Sequence, residues 1–137
     1  MNSGPDLSEL TRGLYVAASR QDVDAVMALH AADAVWDLTD VGLGIVEGAA
    51  AIRSQIEDWF RSFDYYRFDV NEVIELGGGV VFADVDASAR LAGIAGSVDQ
   101  RRGWVVLWVQ GEIVRVGVYL YLDEARTAAE RLAASRV

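Results

Sequence analysis

The feature that most constrains this chain is a change of hydrophobic period near residue 65. Before it, apolar residues recur at helical spacing; after it, they alternate. Tyr66, Phe68, Val70 and Ile74 mark one strand, and Val81, Ala83, Val85, Ala87, Ala89 and Leu91 mark a second, long one. Gly77–Gly79 turns the chain between them, and Gly93–Gly96 is another break. Val98–Val109 and Ile113–Leu122 read as two further strands, joined by the tight hairpin signal Gln110-Gly111. The second half is therefore a four-stranded meander.

The first half supplies helices. Asp6-Leu7-Ser8-Glu9 has the form of a capping box. Leu7, Leu10, Leu14, Ala17 and Ala18 then place a helix at about 7–19. Asp22 can cap a short helix carrying Val23, Val26, Met27 and Leu29, which His30 ends. Ala34–Leu38 reads as a short strand and the Gly42/Gly44 segment as a loop. A third helix starts near Ala49, with Ile52, Ile56, Trp59 or Phe60, and Phe63 on one face. Asp123 can cap a last helix over about 123–135, and residues 1–5 read as a loose terminus. The expected fold is one α+β domain over 1–137: a strongly curved antiparallel sheet with N-terminal helices on its concave face.

Composition removes many kinds of chemistry. With no cysteine there is no thiolate nucleophile, disulfide or zinc–cysteine site, and with no lysine there is no Schiff base. One histidine excludes a two-histidine metal site within the chain. Gly77-Gly78-Gly79 lacks the lysine of a phosphate-binding loop. No metal and no organic cofactor is expected. All 12 basic residues are arginine and the net charge is −9, which disfavours nucleic acid as a partner. No apolar run approaches the roughly 20 residues of a membrane span, and no basic-then-apolar segment opens the chain. A soluble, cytoplasmic protein is expected.

The segment from Val35 to Ile56 orders a strand, two acids, a glycine-spaced loop and an apolar-faced helix. That order can put a carboxylate at the mouth of a pocket that the helix roofs. Alternation places Trp36, Leu38 and Asp40 on one face and Asp37 on the other, and a bend at Thr39 reverses the choice. Both acids stay candidates, either as a general base with a raised pKa or as turn acids. Tyr15 on the first helix offers a buried phenol donor, or simply packs beside Leu14. Asp99 and Arg101 share a strand face; counting on by twos gives Val105, Leu107 and Val109 as inward positions. That places Asp99 and Arg101 at the wide end of the pocket or in a rim salt bridge.

On the last strand Val116, Val118 and Leu120 point inward. Trp36, Leu38, Ile56, Trp59, Phe63, Ala87 and Val118 are the expected apolar lining, although the aromatics could equally be plain core. The same parity sends Arg102, Trp104, Trp108, Tyr119 and Tyr121 outward, where such a patch predicts a homodimer interface. His30 is read as structural, meeting the C-terminal dipole of its helix.

The element order, the Trp-Asp-Leu strand, the Ala-Ile-Arg helix and the final Gly-Glu-Ile-Val-Arg-Val-Gly-Val-Tyr strand resemble the SnoaL-like branch of the nuclear transport factor 2-like superfamily. The resemblance covers about residues 7–125. It implies a cone-shaped, cystatin-like α+β barrel with a deep pocket, often dimeric through the outer sheet face. Ketosteroid isomerases of this superfamily carry an oxyanion-stabilising tyrosine where Tyr15 stands. Their aspartate base aligns with Leu38 here. Limonene epoxide hydrolases place an Arg and an Asp two apart on a similar strand; Asp99 and Arg101 have the reverse order and lack the second acid on the last strand.

Two functions follow as expectations. One is a cofactor-free isomerase or cyclase-type lyase for a polyketide-, steroid- or terpenoid-like molecule, with Asp40 or Asp37 as base and Tyr15 on the enolate. The other is a non-catalytic homodimer that binds a small apolar ligand in the same pocket.

Overall fold

Helix α1 (Leu7–Ser19) begins where Asp6 accepts the Glu9 N–H at 3.2 Å, and α2 (Val23–Met27) where Asp22 accepts the Ala25 N–H at 3.0 Å. Strand β1 (His30–Leu38), a 3₁₀ turn (Thr39–Val41), β2 (Gly44–Glu47) and α3 (Ala49–Ser62) follow. Then come β3 (Phe63–Gly77), β4 (Val80–Leu91), β5 (Val98–Val109), β6 (Glu112–Tyr119) and α4 (Leu122–Ser135). The computed structural model describes residues 6–91, 93 and 96–136. The expected loose terminus 1–5 lies outside the described residues, as does part of the break at Gly93–Gly96.

The six strands form one sheet in the order β2-β1-β6-β5-β4-β3. β3 through β6 pair as the expected antiparallel meander, and Gln110 and Gly111 take φ of 52° and 79°, as a two-residue hairpin of this hand requires. β1 joins the far edge of the meander parallel to β6. The sheet is α+β as expected, and no described helix is long and apolar enough to cross a membrane.

Several boundaries differ from the sequence reading: α2 ends at Met27, Phe63 opens β3 instead of lying on α3, β6 ends at Tyr119, and α4 starts at Leu122 after Tyr121 with no cap from Asp123. β1 starts at His30 because His30 already pairs with Ile113; its register then shifts before Val35, which breaks the alternation that would have signalled a strand. β2 pairs with β1 from Gly44↔Leu38 to Glu47↔Val35, but three of its four residues are exposed, so no buried face marks it in sequence.

The sheet separates two cores. On the concave side, α1, α2 and α3 cover Trp36, Val81, Val85, Trp104, Val106 and Val116. On the convex side, Ala125 and Ala129 of α4 pack on Val80, Phe82, Val105 and Leu107. The parity of β5 is therefore opposite to the expectation: even positions face the cone, and odd positions face α4. The physical reason is Gly103. A Cβ there would lie 2.3 Å from the Ala125 Cβ, so α4 can dock only over a glycine. Trp104 and Trp108, of the opposite parity, fill the cone instead.

This corrects the proposed dimer face. Trp104 and Trp108 are buried in the concave core, and Trp108 donates its Nε1–H to Thr11 of α1 at 3.1 Å. Arg102 also turns inward. Of the five patch residues, Tyr119 is half-buried against the α4 core and only Tyr121 is broadly exposed. The patch that predicted a homodimer does not exist as a surface.

Candidate functional site

The concave side holds a pocket in two adjoining compartments. The inner one is small, about 20 Å³, and is walled by Tyr15, Trp36, Ile56, Phe60 and Val26 among others. The outer one is about 270 Å³ and opens between Leu38, Leu43, Phe63, Ala87, Val118 and Leu120. Trp59, Tyr66, Phe68 and Trp104 line both and form the partition between them.

The partition is a set of interlocked rings. Trp104 meets Tyr15 edge-on at 5.2 Å, Phe68 at 5.9 Å and Trp36 at 6.0 Å between centroids. Trp36 leans on Trp59 at 6.3 Å, and Tyr66 on Phe68 at 5.0 Å. Each such pair adds about 0.5–1.5 kcal/mol beyond area burial, so these walls are well ordered. The sequence places them there simply. Trp36 and Leu38 alternate inward on β1, Ile56 and Trp59 lie on the inner face of α3, and Tyr66 and Phe68 alternate on β3.

Three polar side chains, Tyr66, Gln100 and Arg102, reach this space, and Tyr15 stands in its wall with the hydroxyl sealed behind it. At depth, the Tyr15 hydroxyl is buried and has no hydrogen-bond partner among the described residues. Burial pushes its pKa well above the usual phenol value, so it stays a proton donor at neutral pH. Tyr66 is also pushed up by burial, with the nearby Arg102 charge pulling the other way. At the mouth stand Gln100 and Arg102. Among the described residues, no Asp or Glu lines either compartment.

The expected acids lie elsewhere. Asp37 is on the convex side, in a groove with Val105, Arg115 and Tyr119. It accepts the Thr39 N–H at 3.0 Å and an Arg115 N–H at 3.1 Å. The Thr39 bond first, and Arg115 after it, hold its carboxyl below the usual range, the reverse of what a base at neutral pH needs. Asp40 is exposed in the 3₁₀ turn and accepts the Leu120 N–H at 2.9 Å. It ties the turn to the end of β6. The expectation that either acid faces the pocket is corrected: alternation ends at Leu38, where the chain turns into 3₁₀ geometry.

Asp99 and Arg101 are corrected by the same parity that moves the tryptophans. Asp99 is exposed beyond the pocket lining. Arg101 grips Asp84 on the convex side through Nε at 2.9 Å and Nη2 at 2.6 Å, and Asn71 adds a bond at 3.3 Å. Asp84 is only 5% exposed, and the Arg101 bonds hold its carboxyl low.

His30 is structural. Its Nδ1 lies 2.9 Å from the Val26 carbonyl, and its Nε2 accepts the Trp36 indole N–H at 3.0 Å. The Nδ1–H tautomer satisfies both bonds and leaves neither nitrogen for chemistry. Burial pushes its pKa down, with the Val26 carbonyl opposing. A depressed histidine stabilises the fold above its unfolded pKa and loses that contribution as pH falls. Stability is therefore expected to drop as pH goes below about 6.5, and this part of the slope should vanish in His30→Gln. Urea unfolding between pH 7.5 and 5 checks it; an unchanged slope would refute the assignment.

Of the residues expected as lining, Trp36, Leu38, Ile56, Trp59, Phe63, Ala87 and Val118 stand on the walls of the two compartments and Asp99 and Arg101 do not; Tyr15, expected as a catalytic donor, stands in the inner wall. Tyr66, Phe68, Gln100, Arg102 and Trp104 were not foreseen as lining. The signal that could have found the last three was Gly103, a small residue between two large ones on a strand that a helix must cover. No cluster of three metal-ligating side chains is found among the described residues.

A cone-shaped α+β sheet with an aromatic pocket on its concave side defines the class. The chain belongs to the SnoaL-like domain family, whose pattern it matches over residues 11–116. Solved structures share the fold at low identity. A protein with a ketosteroid isomerase-like fold from Catenulispora acidiphila, in complex with trimethylamine, is 15% identical, with a TM-score of 0.73 over 97% of this chain and 98% of that one. A candidate polyketide cyclase from Pseudomonas putida KT2440 is 23% identical, with a TM-score of 0.68 over 88% and 95%. An epoxide hydrolase/cyclase-like enzyme with a role in pyran-ring formation in the polyether salinomycin is 17% identical, with a TM-score of 0.74 over 85% and 92%. No curated protein matches the chain by sequence.

Proposed function

We propose that this protein binds a small, flat, largely apolar molecule of polyketide-, steroid- or terpenoid-like character in its concave pocket. The carrying observation is the ring-walled cavity itself, whose outer compartment of about 270 Å³ is enclosed by Leu38, Trp59, Phe63, Phe68, Trp104 and Val118. The inner compartment holds little more than one water-sized group, so the ligand body sits in the outer compartment. The trimethylamine complex of the Catenulispora protein supports small-ligand use of this fold.

Acid–base isomerisation by Asp37 or Asp40 is not part of this reading, because neither acid lines the pocket. Tyr15 keeps its hydroxyl out of the cavity, and the described lining supplies no carboxylate to take a proton. Binding is the function this pocket performs with its own side chains.

Two variants test it with methyl 2-naphthoate, a flat apolar ester, as probe. Ala87→Phe places a ring in the outer compartment and is expected to weaken binding about tenfold or more, each factor of ten being 1.4 kcal/mol. Tyr15→Phe removes the orphan hydroxyl and is the control: it is expected to raise the stability of the free protein by about 1 kcal/mol and to leave the probe within about twofold. Titration calorimetry and urea unfolding measure the two. Unchanged binding by Ala87→Phe would refute the reading, and a destabilised Tyr15→Phe would mean that the hydroxyl has a partner.

A further inference from the structure

The mouth of the pocket carries one feature that an apolar ligand does not use. Arg102 lies among Phe63, Tyr66, Trp104 and Val118, with Gln100 beside it. Its Nη1 donates to the Arg101 carbonyl at 3.0 Å, which steadies the guanidinium. It has no carboxylate partner among the described residues, and the Nε–Nη2 edge is unused.

This isolation comes from strand alternation. Asp84 and Asp86 on β4 stand opposite Gly103 and Arg101 in the β4–β5 register. Arg101 and Asp84 form their ion pair on the convex side. Arg102, one residue on, is turned through the sheet into the cone, where no acid lines the pocket. In a chain of net charge −9, the pocket lining thus carries, among the described residues, a single uncompensated cation.

From this arrangement we infer that the ligand carries one carboxylate, bound side-on by the Nε–Nη2 edge of Arg102 with Gln100 alongside, while its flat body lies against the aromatic partition. The inference rests on the pocket-binding reading and narrows it to aromatic or polyketide-type monoacids. A guanidinium edge matches a carboxylate with two parallel bonds. A single cation balances a single negative charge. A phosphate monoester would bring a second charge into an apolar mouth of an acidic protein, with nothing to meet it. An amine would face Arg102 directly.

The test compares 2-naphthoate with its neutral methyl ester, on the wild-type protein and on Arg102→Gln, by titration calorimetry at pH 7. Wild type is expected to bind the acid about tenfold more tightly than the ester, the low end for a charged hydrogen bond at a half-exposed site. The preference should shrink as salt is raised. Arg102→Gln should erase it by weakening the acid alone, leaving the ester within about twofold, and its circular dichroism and unfolding midpoint establish that it is folded. Equal binding of acid and ester by wild type would overturn the carboxylate inference and leave the pocket reading intact. Loss of both ligands in Ala87→Phe with no acid preference in wild type has the same meaning. If wild type binds neither, or if Ala87→Phe binds both as wild type does, the pocket reading fails and takes the inference with it.

Discussion

Gly79→Ala is expected to destabilise the protein by about 3–5 kcal/mol, enough to unfold a large fraction of a marginal domain. Two costs combine. Gly79 sits at φ +84°, where a side chain is strained. An added Cβ would also lie 2.2 Å from the Trp108 carbonyl oxygen, a backbone atom that cannot swing aside. The collision falls where the Gly79 carbonyl accepts the Trp108 N–H at 2.8 Å, so the β4–β5 pairing must open. Trp108 in turn anchors α1 through Thr11. Gly77→Ala is the internal control. It has φ +90° but open space around the Cβ, so only the strain of about 1–2 kcal/mol should appear. Urea unfolding of both variants isolates the steric part by difference; equal losses would mean that the turn relaxes freely.

Arg101→Ala is expected to cost about 2–3 kcal/mol at pH 7, more than Asp84→Asn. The asymmetry follows from burial. The Asp84 side chain is 8% exposed and that of Arg101 58%. Removing the arginine strands a buried carboxylate; removing the carboxylate leaves an arginine that water can solvate. The value is placed below the range for fully buried pairs because Arg101 already shares its charge with solvent. The sign with pH follows. In the native protein Asp84 is depressed, so its contribution is present above the unfolded value near 3.9 and is lost as pH falls through the lower folded one. In Arg101→Ala the stranded carboxylate takes up its proton more readily than in the unfolded chain, and its cost disappears on acidification. The gap between the two proteins should therefore close below about pH 4. A gap independent of pH would mean that Arg101 acts through packing.

Most of the fold was legible because it rests on long, regular periods. The α1 boundaries, the start of α3, the glycine turn and the whole of β5 follow from capping residues and alternation that tertiary structure leaves undisturbed. What escaped was local. β2 has no buried face to write a pattern, and the shift in β1 interrupts its alternation. The pocket was half legible for a related reason. Trp36, Leu38, Ile56, Trp59, Phe63, Ala87 and Val118 come from elements with one apolar face, so their direction is decided. β5 is apolar on both faces, since the cone and α4 cover opposite sides. Its periodicity cannot choose between them; the choice lies in Gly103 and in the helix that needs it. That single ambiguity placed Asp99 and Arg101 in the pocket, and Arg102, Trp104 and Trp108 on the surface. The acids Asp37 and Asp40 were misplaced because a carboxylate near a strand end can serve a turn or a site equally well. Here both accept backbone N–H groups, of Thr39 and Leu120.

The central claim is that ligand enters the concave pocket, and the four tryptophans report on it directly. Trp59 and Trp104 line the outer compartment, whereas the Trp108 indole N–H is committed to Thr11 and lines neither compartment. Titrating ¹⁵N-labelled protein with methyl 2-naphthoate should move the indole N–H signals of Trp59 and Trp104 and leave that of Trp108 in place. Shifts confined to Trp108, or to amides of the convex groove around Arg115, with Trp59 and Trp104 silent, would contradict it.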